Sequence, residues 1–432
     1  MNFFNEPLLL VYRWATGLFG LVAPAFLEWR RWRGKEDPAR LSERMGRARL
    51  SRPGGPLVWM HGASVGEGLA LLPLVDAMIA SGFRVLVTTG TVTSARVLSQ
   101  RLPAGAIHQY LPIDAPAFVR RFYAHWRPQM ALLAESELWP NLLCEAGRRA
   151  IPVILVNARM SPQSFGRWRR LPALIGPLLR RIDLALAQSR DDGRRLEDLG
   201  ARNVRVAGNL KYDVPPPPVN PSVLADMLAA VGSRPVWLAA QTHPAEEAIV
   251  IDAHRSLSKR WPDLLTIVAP RHVERGPQIE ALARGQGIAA ELRSRGETIG
   301  RSSGFYIADT MGELGLFYRI AGLVFVGKSL GGASGGQNPI EPANLGAAVL
   351  HGPDVGNFTD VYAALDSSGG AKIVSDAAHL DQSLAVLLAD PARSRALARA
   401  GADAVARLGG ATDRIMNALE PYIARILGGR ME

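Results

Sequence analysis

A carboxylate stands at the edge of a glycine-rich turn near the start of the chain. Residues 57–60 (LVWM) are apolar, residues 61–66 (HGASVG) are small and turn-forming, and Glu67 then opens a segment with apolar residues at helical spacing. This order is typical of a strand, a tight turn and a helix. The first N–H groups of a helix carry partial positive charge, so the turn could hold an anion, with Glu67 at its edge.

A purely structural explanation competes with this one. Strand–turn–helix units with glycines are common packing solutions, and a helix dipole favours Glu in the first turn in any case. Gly62, Gly66 and Gly68 do not match the G-x-G-x-x-G dinucleotide fingerprint, so NAD binding is not predicted. His61, beside the end of a strand, is interpreted as a structural histidine.

Three polar stretches in the second half also follow predicted strands. They are residues 270–272 (PRH), 309–314 (DTMGEL) and 327–342 (GKSLGGASGGQNPIEP). The last is rich in glycine and includes a helix start with Pro in its first turn. Its backbone amides could hold a phosphate, and Glu341 could accept hydrogen bonds from two ribose hydroxyls. The alternative is a flexible surface loop before a capped helix.

The elements that must position these residues alternate between short β-branched runs and helical patterns. Such alternation predicts parallel sheets with helices on both faces, whose ligands bind beyond the carboxyl ends of the strands. The polar stretches 62–67, 88–94, 135–140 and 157–161 would therefore meet at one edge of the first sheet. The predicted strands are Leu57–Met60, Val85–Thr88, Ile107–Leu111, Met130–Ala134, Val153–Val156, Leu184–Ala187 and Val204–Ala207, then Val236–Ala240, Leu265–Ala269, Phe305–Ala308, Leu323–Val326 and Ala347–Leu350.

Four consecutive prolines in residues 211–221 predict a stiff linker between two domains. We expect an anchor and basic flank over residues 1–35, and a Rossmann-like domain over 36–210. A second Rossmann-like domain is expected over 222–432, facing the first across a cleft, with the last helix packing back on the N-terminal domain. A length of 432 residues also favours two domains, because single cores stop growing well below that size.

Charge is concentrated in two stretches. Residues 29–52 hold nine basic and three acidic side chains, and residues 158–182 hold six arginines and no acid, within a net charge of +11. No nucleic-acid-binding module accompanies them, so a surface that meets anionic lipid is predicted instead. The single cysteine, Cys144, excludes an intramolecular disulfide, and no Cys/His cluster at metal-ligand spacing occurs.

Residues 7–27 are apolar except for Arg13, about the ~20 residues that a membrane-spanning helix needs. Tryptophans and a basic cluster follow at residues 29–35, which predicts a cytoplasmic location for that side and for the rest of the chain. The anchor could span the membrane or lie in its interface, because Arg13 is costly deep in a bilayer. A cleaved signal peptide is the alternative, although residues 1–6 carry no basic side chain.

Taken together, the ordered motifs resemble one family. HGASVGEG, ESELWPNLL, NARMS, GNLKYD, PRHVER, DTMGELGLFY and GGQNPIEPANLGAAVLHGP are similar to the 3-deoxy-D-manno-octulosonic acid (Kdo) transferases of lipopolysaccharide synthesis, from the anchor to about Tyr362. Each motif alone would be weak, whereas the set in family order is specific.

The resemblance implies an inverting GT-B glycosyltransferase that moves Kdo from CMP-Kdo to a lipid A precursor at the cytoplasmic face of the inner membrane, without metal or other cofactor. On the family pattern Glu67 matches the catalytic base, and Glu135 or Glu137 a second carboxylate, with a slight preference for Glu137. The implied donor contacts are Arg271 for phosphate, Met311 and Gly312 for cytosine, and Asn338, Glu341 and Gln337 for phosphate and ribose; Ser64, Arg167, Arg169 and Arg170 are assigned to the acceptor or membrane side.

Two residues depart from the family pattern. Gln337 stands where His is expected, and an amide can carry neither proton nor charge. Lys328 stands where a small residue is expected. Two other functions stay open: a membrane-associated GT-B transferase that uses a UDP-sugar, and a membrane-anchored nucleotide-binding protein without catalysis.

Overall fold

Two parallel seven-stranded sheets form the frame of the protein in the computed structural model, which describes residues 6–332 and 335–428. The chain divides into two units. Unit 1 comprises the described residues up to Val214 and from Gly409 onward, and unit 2 comprises those from Pro215 to Leu408. Residues 214–220 adopt no helix or strand.

Unit 1 contains a sheet in the order β3-β2-β1-β4-β5-β6-β7. Its strands are β1 (Leu57–His61), β2 (Arg84–Thr89), β3 (Ala106–Tyr110), β4 (Met130–Ala134), β5 (Val153–Ala158), β6 (Leu184–Ala187) and β7 (Val204–Val206). Its helices are α1 (Pro7–Trp32), α2 (Val65–Ala70), α3 (Leu72–Ala80), α4 (Val92–Ser99), α5 (Pro116–Trp126), α6 (Pro140–Arg148), α7 (Pro162–Trp168), α8 (Pro172–Leu179), α9 (Arg190–Asp198) and, from the end of the chain, α18 (Ala411–Gly428).

The central strands of unit 1 are buried on both faces. Every residue of β1, β4 and β5 is buried, as expected when helices cover both sides of a parallel sheet. Successive side chains of β1 alternate between two cores: Trp59 packs on one face, and Val58 and Met60 pack on the other. The N-terminus of α18 is held by Asp213, which accepts hydrogen bonds from the N–H groups of Gly410 (2.8 Å) and Thr412 (2.6 Å).

Helix α1 packs along unit 1, on α5, α6 and α8. Leu9, Ala23 and Leu27 are buried, while Trp14 and Leu21 are exposed. It is long and apolar enough to span a membrane, by length and composition. Polar contacts also join it to the domain, since the hydroxyl of Tyr12 donates to Asp114 at 3.0 Å.

Unit 2 contains a sheet in the order β10-β11-β9-β8-β12-β13-β14. Its strands are β8 (Val236–Thr242), β9 (Leu265–Pro270), β10 (Ala290–Leu292), β11 (Phe305–Ile307), β12 (Leu323–Val326), β13 (Ala348–His351) and β14 (Ala371–Ile373). Its helices are α10 (Pro221–Val231), α11 (Pro244–Leu257), α12 (Gly276–Gly285), α13 (Leu314–Ile320), α14 (Ile340–Asn344), α15 (Thr359–Ser367), α16 (Ala377–Ala389) and α17 (Pro391–Leu408).

The predicted fold class is confirmed: α/β, with two Rossmann-like parallel sheets and an apolar N-terminal helix. All the predicted strands are present, with ends shifted by two residues or fewer. Strands β10 (AEL) and β14 (AKI) were not predicted, because each is a three-residue edge strand with alanine and a charged residue and so lacks the β-branched run that marks β7 (VRV).

Candidate functional site

Each unit places a polar cluster at the point where the order of its strands reverses. In unit 1 this point lies between β1 and β4, and in unit 2 between β8 and β12. A crevice forms beyond the carboxyl ends of the two strands at such a point, and open α/β sheets bind their ligands there. The segments that follow these four strands contain Glu67, Glu137, His243 and residues 327–341.

Glu67 is fixed in the turn between β1 and α2. Its Oε2 accepts a hydrogen bond from the N–H of Ala63 at 2.8 Å, and its Oε1 accepts one from the hydroxyl of Ser64 at 2.7 Å. Ser64 is also the N-cap of α2, so the Ser64–Glu67 pair resembles a capping box. Gly62 makes the turn possible, because a Cβ there would lie 3.0 Å from atoms of Glu67.

These two hydrogen bonds leave the Glu67 carboxylate able to accept another hydrogen bond. A carboxylate has about four lone-pair sites, and the carboxylate of Glu67 is half-buried rather than enclosed. Its orientation is therefore set before a ligand arrives, which is the arrangement that a positioned base requires.

Glu137 contacts the imidazole of His61 across the reversal point. His61 Nε2 lies 3.2 Å from Glu137 Oε2, and the indole N–H of Trp139 donates to the same oxygen at 2.5 Å. Burial raises the pKa of Glu137, but the hydrogen bond from His61, the charge of His61 and the bond from Trp139 outweigh burial, so the pKa lies below its ordinary value. The carboxylate form is stabilised.

Glu135 faces a different partner. It follows β4 with a φ of 54°, and its Oε1 lies 2.9 Å from Lys211 Nζ. The two carboxylates that the sequence separated only by a slight preference for Glu137 therefore have distinct surroundings: Glu137 contacts His61 and Trp139, whereas Glu135 is neutralised by Lys211.

A cavity of about 260 Å³ opens beside Glu137. Ala63, whose N–H binds Glu67, also lines it, so Glu67 and Glu137 belong to one region of unit 1. The full lining comprises Arg44, His61, Ala63, Gly90, Leu111, Pro112, Ile113, Asp114, Glu137 and Trp139. Trp139 is 40% exposed, and an exposed aromatic face of this kind can pack against a sugar ring.

The predicted acceptor-side residues other than Ser64 lie on and just after α7. Arg167, Arg169 and Arg170 are all exposed, and Arg169 lies over the ring of Phe165. They form an exposed basic group apart from the cavity beside Glu137.

In unit 2 a buried carboxylate organises the glycine-rich loop after β12. Glu246, in the first turn of α11, accepts hydrogen bonds from four N–H groups. The donors are His243 (3.0 Å), Lys328 (2.8 Å), Ser329 (2.9 Å) and Leu330 (3.1 Å). The N–H groups of Gly336 and Gln337 donate to the carbonyls of Lys328 and Gly327. The N–H groups of Lys328, Ser329, Leu330, Gly336 and Gln337 therefore already have acceptors within unit 2.

Polar and charged side chains also lie at this edge of unit 2. Gln337 Nε2 lies 3.3 Å from His243 Nε2, and Arg271, after β9, is exposed. Burial lowers the pKa of His243, and the charges of Lys328, His272 and Arg271 lower it further against the opposing Glu246. The side-chain oxygen of Asn338 accepts from the N–H of Ile340 (3.0 Å), and its amide nitrogen lies 3.4 Å from Glu341.

Met311 and Gly312 form an exposed turn after β11. Met311 is 76% exposed and Gly312 has a φ of 86°. The turn is held by Glu313, which pairs with Arg293 through two bonds of 3.0 and 2.7 Å and also accepts from Thr310. An exposed methionine on a fixed turn is suited to packing against a flat ring.

Several residues of these clusters were not predicted as functional. His61 was interpreted as structural but contacts Glu137, and Trp139, Lys211 and Glu246 had no assigned role. Only the ESELWP and GNLKYD motifs pointed to Trp139 and Lys211, and the four donors of Glu246 come from two segments that are distant in sequence. No group of three or more His, Cys, Asp or Glu side chains that could hold a metal occurs within residues 6–332 and 335–428.

Comparison with known proteins identifies relatives along nearly the whole chain. The family model of the 3-deoxy-D-manno-octulosonic-acid transferases matches residues 39–214. A 3-deoxy-D-manno-octulosonic acid transferase of Bordetella pertussis is 36% identical, with 96% of each chain covered. A probable mitochondrial 3-deoxy-D-manno-octulosonic acid transferase of Arabidopsis thaliana is 34% identical, with 89% of each chain covered.

Among solved structures, a UDP-GlcNAc 2-epimerase from Neisseria meningitidis has a similar fold. Its TM-score is 0.56 at 14% identity, and the match covers 85% of this chain and 100% of the epimerase. At this identity the similarity concerns the architecture alone.

Proposed function

This chain belongs to the Kdo transferase family of glycosyltransferases, and from that premise we propose that it moves Kdo from CMP-Kdo to a lipid A precursor with inversion at the anomeric carbon, Glu67 being the general base. The family assignment carries the reaction type, since 36% identity extends over 96% of both chains. The orientation of Glu67 supports its role as the base.

In the proposed reaction, Glu67 takes the proton from the attacking hydroxyl of the acceptor sugar. The oxygen of that hydroxyl forms a bond to the anomeric carbon of Kdo as the bond from that carbon to the phosphate oxygen breaks. The electron pair of the broken bond stays on CMP. A positioned carboxylate suits this step, because an inverting transfer through an oxocarbenium-like centre needs one base on the side of attack.

Glu137 is the proposed second carboxylate. Its lowered pKa keeps it ionised, so it would stabilise positive charge rather than donate a proton. The exposed face of Trp139, whose indole N–H binds Glu137, gives the acceptor sugar a surface to pack on. Glu135 is the weaker choice because Lys211 already neutralises it.

The donor is assigned to unit 2. Arg271 would bind the phosphate, Met311 and Gly312 the cytosine, and Gln337, Asn338 and Glu341 the phosphate and the ribose. Departing CMP gains negative charge, so it needs positive groups nearby more than it needs a strong acid.

The acceptor is assigned to the side of unit 1 that carries α1. Tyr12, Thr16 and Glu6 bind Asp114, Asn141 and Arg181 of the domain. These contacts favour an anchor that lies in the interface of the membrane, because a helix fixed along a folded domain cannot also cross the bilayer. The exposed residues Val11, Trp14, Leu18, Leu21 and Val22 would enter the cytoplasmic leaflet of the inner membrane.

A cavity of about 570 Å³ beside α1 supports this assignment. Its walls are Leu10, Arg13, Trp14, Gly17, Leu18, Pro116 and Arg148, apolar side chains with two arginines. This composition suits an acyl chain next to a phosphate, and the exposed Arg167, Arg169 and Arg170 would add further charge for the phosphates of the acceptor.

The decisive experiment incubates the membrane-bound protein with CMP-Kdo and a lipid A precursor and weighs the lipid products by mass spectrometry. A mass increase of one or more Kdo units is expected. In parallel, thermal shifts with CMP and with UDP distinguish the donor: protection by UDP alone would favour a UDP-sugar transferase, and ligand protection without any product would favour a binding protein.

A further inference from the structure

Lys328 occupies a backbone conformation that favours glycine. It follows β12 with a φ of 60°, in the left-handed region where the Cβ of an ordinary residue crowds the backbone. Its neighbour Gly327 has no room for a side chain, because a Cβ there would lie 2.7 Å from the carbonyl oxygen of Gln241. A strained residue at the carboxyl end of a strand is an observation from which a functional role can be inferred.

Five backbone N–H groups around Lys328 already have acceptors within unit 2. The N–H groups of Lys328, Ser329 and Leu330 donate to Glu246, and those of Gly336 and Gln337 donate to loop carbonyls. An anion that approaches these five positions therefore finds backbone groups that are already bonded. At these five positions an anion would depend on a charged side chain, such as the ammonium group of Lys328.

The hydrogen bonds of the loop place Lys328 beside the polar cluster of unit 2. The Gly336 N–H bonds to the carbonyl of Lys328 (2.8 Å) and the Gln337 N–H bonds to that of Gly327 (3.1 Å), so the two segments run side by side. Gln337 in turn reaches His243, and the charge of Lys328 acts on that imidazole together with those of Arg271 and His272. Lys328 is half-buried.

We propose that Lys328 binds the phosphate of the nucleotide donor, at the carboxyl ends of β8 and β12 and beside Arg271. This inference rests on the proposed function, whose donor carries a phosphodiester with one negative charge. When the bond to the sugar breaks, the electron pair stays on the phosphate oxygen and the charge on CMP rises to two. A lysine ammonium is a compact charge whose attraction increases as that charge develops.

The test replaces Lys328 with glycine, which separates stability from binding. Lys328→Gly relieves the backbone strain, so the melting temperature should stay the same or rise. Affinity for CMP should fall about 10- to 100-fold, the range for one hydrogen bond to a charged group, while affinity for cytidine stays unchanged. Isothermal titration calorimetry with CMP and with cytidine measures both.

Arg127→Gly is the matched control. Arg127 has a φ of 44° and lies between α5 and β4, at the amino ends of the strands of unit 1. Its replacement removes one positive charge and one strained Cβ, as Lys328→Gly does, but it should leave the affinity for CMP unaltered. Lys328→Arg should retain most of that affinity, because the charge is kept.

Three results would overturn the inference. The first is an unchanged affinity for CMP in Lys328→Gly, and the second is an equal loss of affinity for CMP and for cytidine in a folded variant. The third is a loss of affinity for CMP-Kdo without a loss for CMP, which would assign the lysine to the sugar carboxylate. If Lys328→Gly fails to fold, Lys328→Asn gives the same comparison, since Asn tolerates the left-handed region. Absence of CMP binding by the unmodified protein would instead contradict the proposed function.

Discussion

His61 and Glu137 are joined by a hydrogen bond at the carboxyl end of β1. His61 Nδ1 lies 2.9 Å from the carbonyl oxygen of Thr88, and its Nε2 lies 3.2 Å from Glu137 Oε2. His61 Nδ1 also lies 3.0 Å from the hydroxyl oxygen of Thr88, so Thr88 fixes the imidazole on that side. Burial raises the pKa of Glu137, but the hydrogen bond from His61, the charge interaction with His61 and the bond from Trp139 hold that pKa below its ordinary value. The contact thus stabilises the ionised form of the Glu137 carboxylate.

This pair predicts that Glu137→Gln destabilises the protein by about 1–3 kcal/mol at pH 7, the cost of losing a charged hydrogen bond. A folded-state pKa below the ordinary 4.5 means that the stabilisation is complete above that pH and is lost as the pH falls further. Urea unfolding at pH 7 and pH 3 should therefore show a difference between the wild type and the variant that shrinks in acid. A difference that is independent of pH would contradict the pairing.

Glu67→Gln should reduce turnover about 10²- to 10⁴-fold, the contribution of a general base, while affinity for CMP is retained. Asp192→Asn is the matched control. Asp192 accepts from the hydroxyl of the N-cap Ser189 at 2.6 Å and from the N–H of Met160 at 2.8 Å, much as Glu67 binds Ser64 and Ala63. Both variants should lose about 1 kcal/mol of stability, and only Glu67→Gln should lose turnover. Equal turnover in the two would reject Glu67 as the base.

Glu246→Gln should lower both stability and affinity for CMP, because an amide cannot accept four N–H bonds and its own NH₂ would face donors. A cost of about 3 kcal/mol or more is expected for a buried network of this kind. Glu247→Gln is the control: Glu247 is equally buried but pairs with Arg275 and does not bind the loop. It should lower the melting temperature yet preserve CMP affinity in calorimetry at a temperature where both variants are folded. Parallel losses of affinity would mean that the effect is general destabilisation.

Asp114 predicts a pH dependence of opposite sign. Burial raises its pKa to about 6, although the N–H groups of Asn141 and Leu142 and the hydroxyl of Tyr12 lower it. The folded state therefore binds more protons between pH 3.8 and 6, and its stability falls as the pH rises through that window, by at most about 3 kcal/mol. In Asp114→Asn this contribution disappears. Urea unfolding from pH 4 to pH 7 measures the free energy of unfolding of the wild type and of the variant. The difference between the two should decrease as the pH rises, and a difference that is independent of pH would contradict the raised pKa of Asp114.

Reversing charge at Arg167, Arg169 and Arg170 together should raise the KM for the lipid acceptor at least about tenfold, since each basic residue near an anionic surface contributes about 1 kcal/mol. The KM for CMP-Kdo should not change. The control makes the same change of charge in unit 2, by replacing three exposed arginines of α17 with glutamate: Arg393, Arg395 and Arg399. If both triple variants raise the acceptor KM equally, net charge rather than this cluster is responsible.

The amino-acid sequence by itself determined the architecture and the family. Apolar runs such as residues 130–134 and 153–156 are buried on both faces. A strand of that kind can be recognised in the sequence because nearly all of its residues must be apolar. The motifs around Glu67, Glu137 and Arg271 are contiguous in sequence, so they could be recognised without knowledge of the fold.

The tertiary structure alone decided what those residues contact. It separated Glu137 from Glu135 by giving one a histidine and the other a lysine, because the partners His61 and Lys211 come from distant segments. It also joined the N–H groups of Lys328, Ser329 and Leu330 to Glu246, 82 or more residues away. Glu67 kept its place at the turn of β1 and α2, since that geometry is local, whereas contacts between distant segments depend on which strands become neighbours in the sheet.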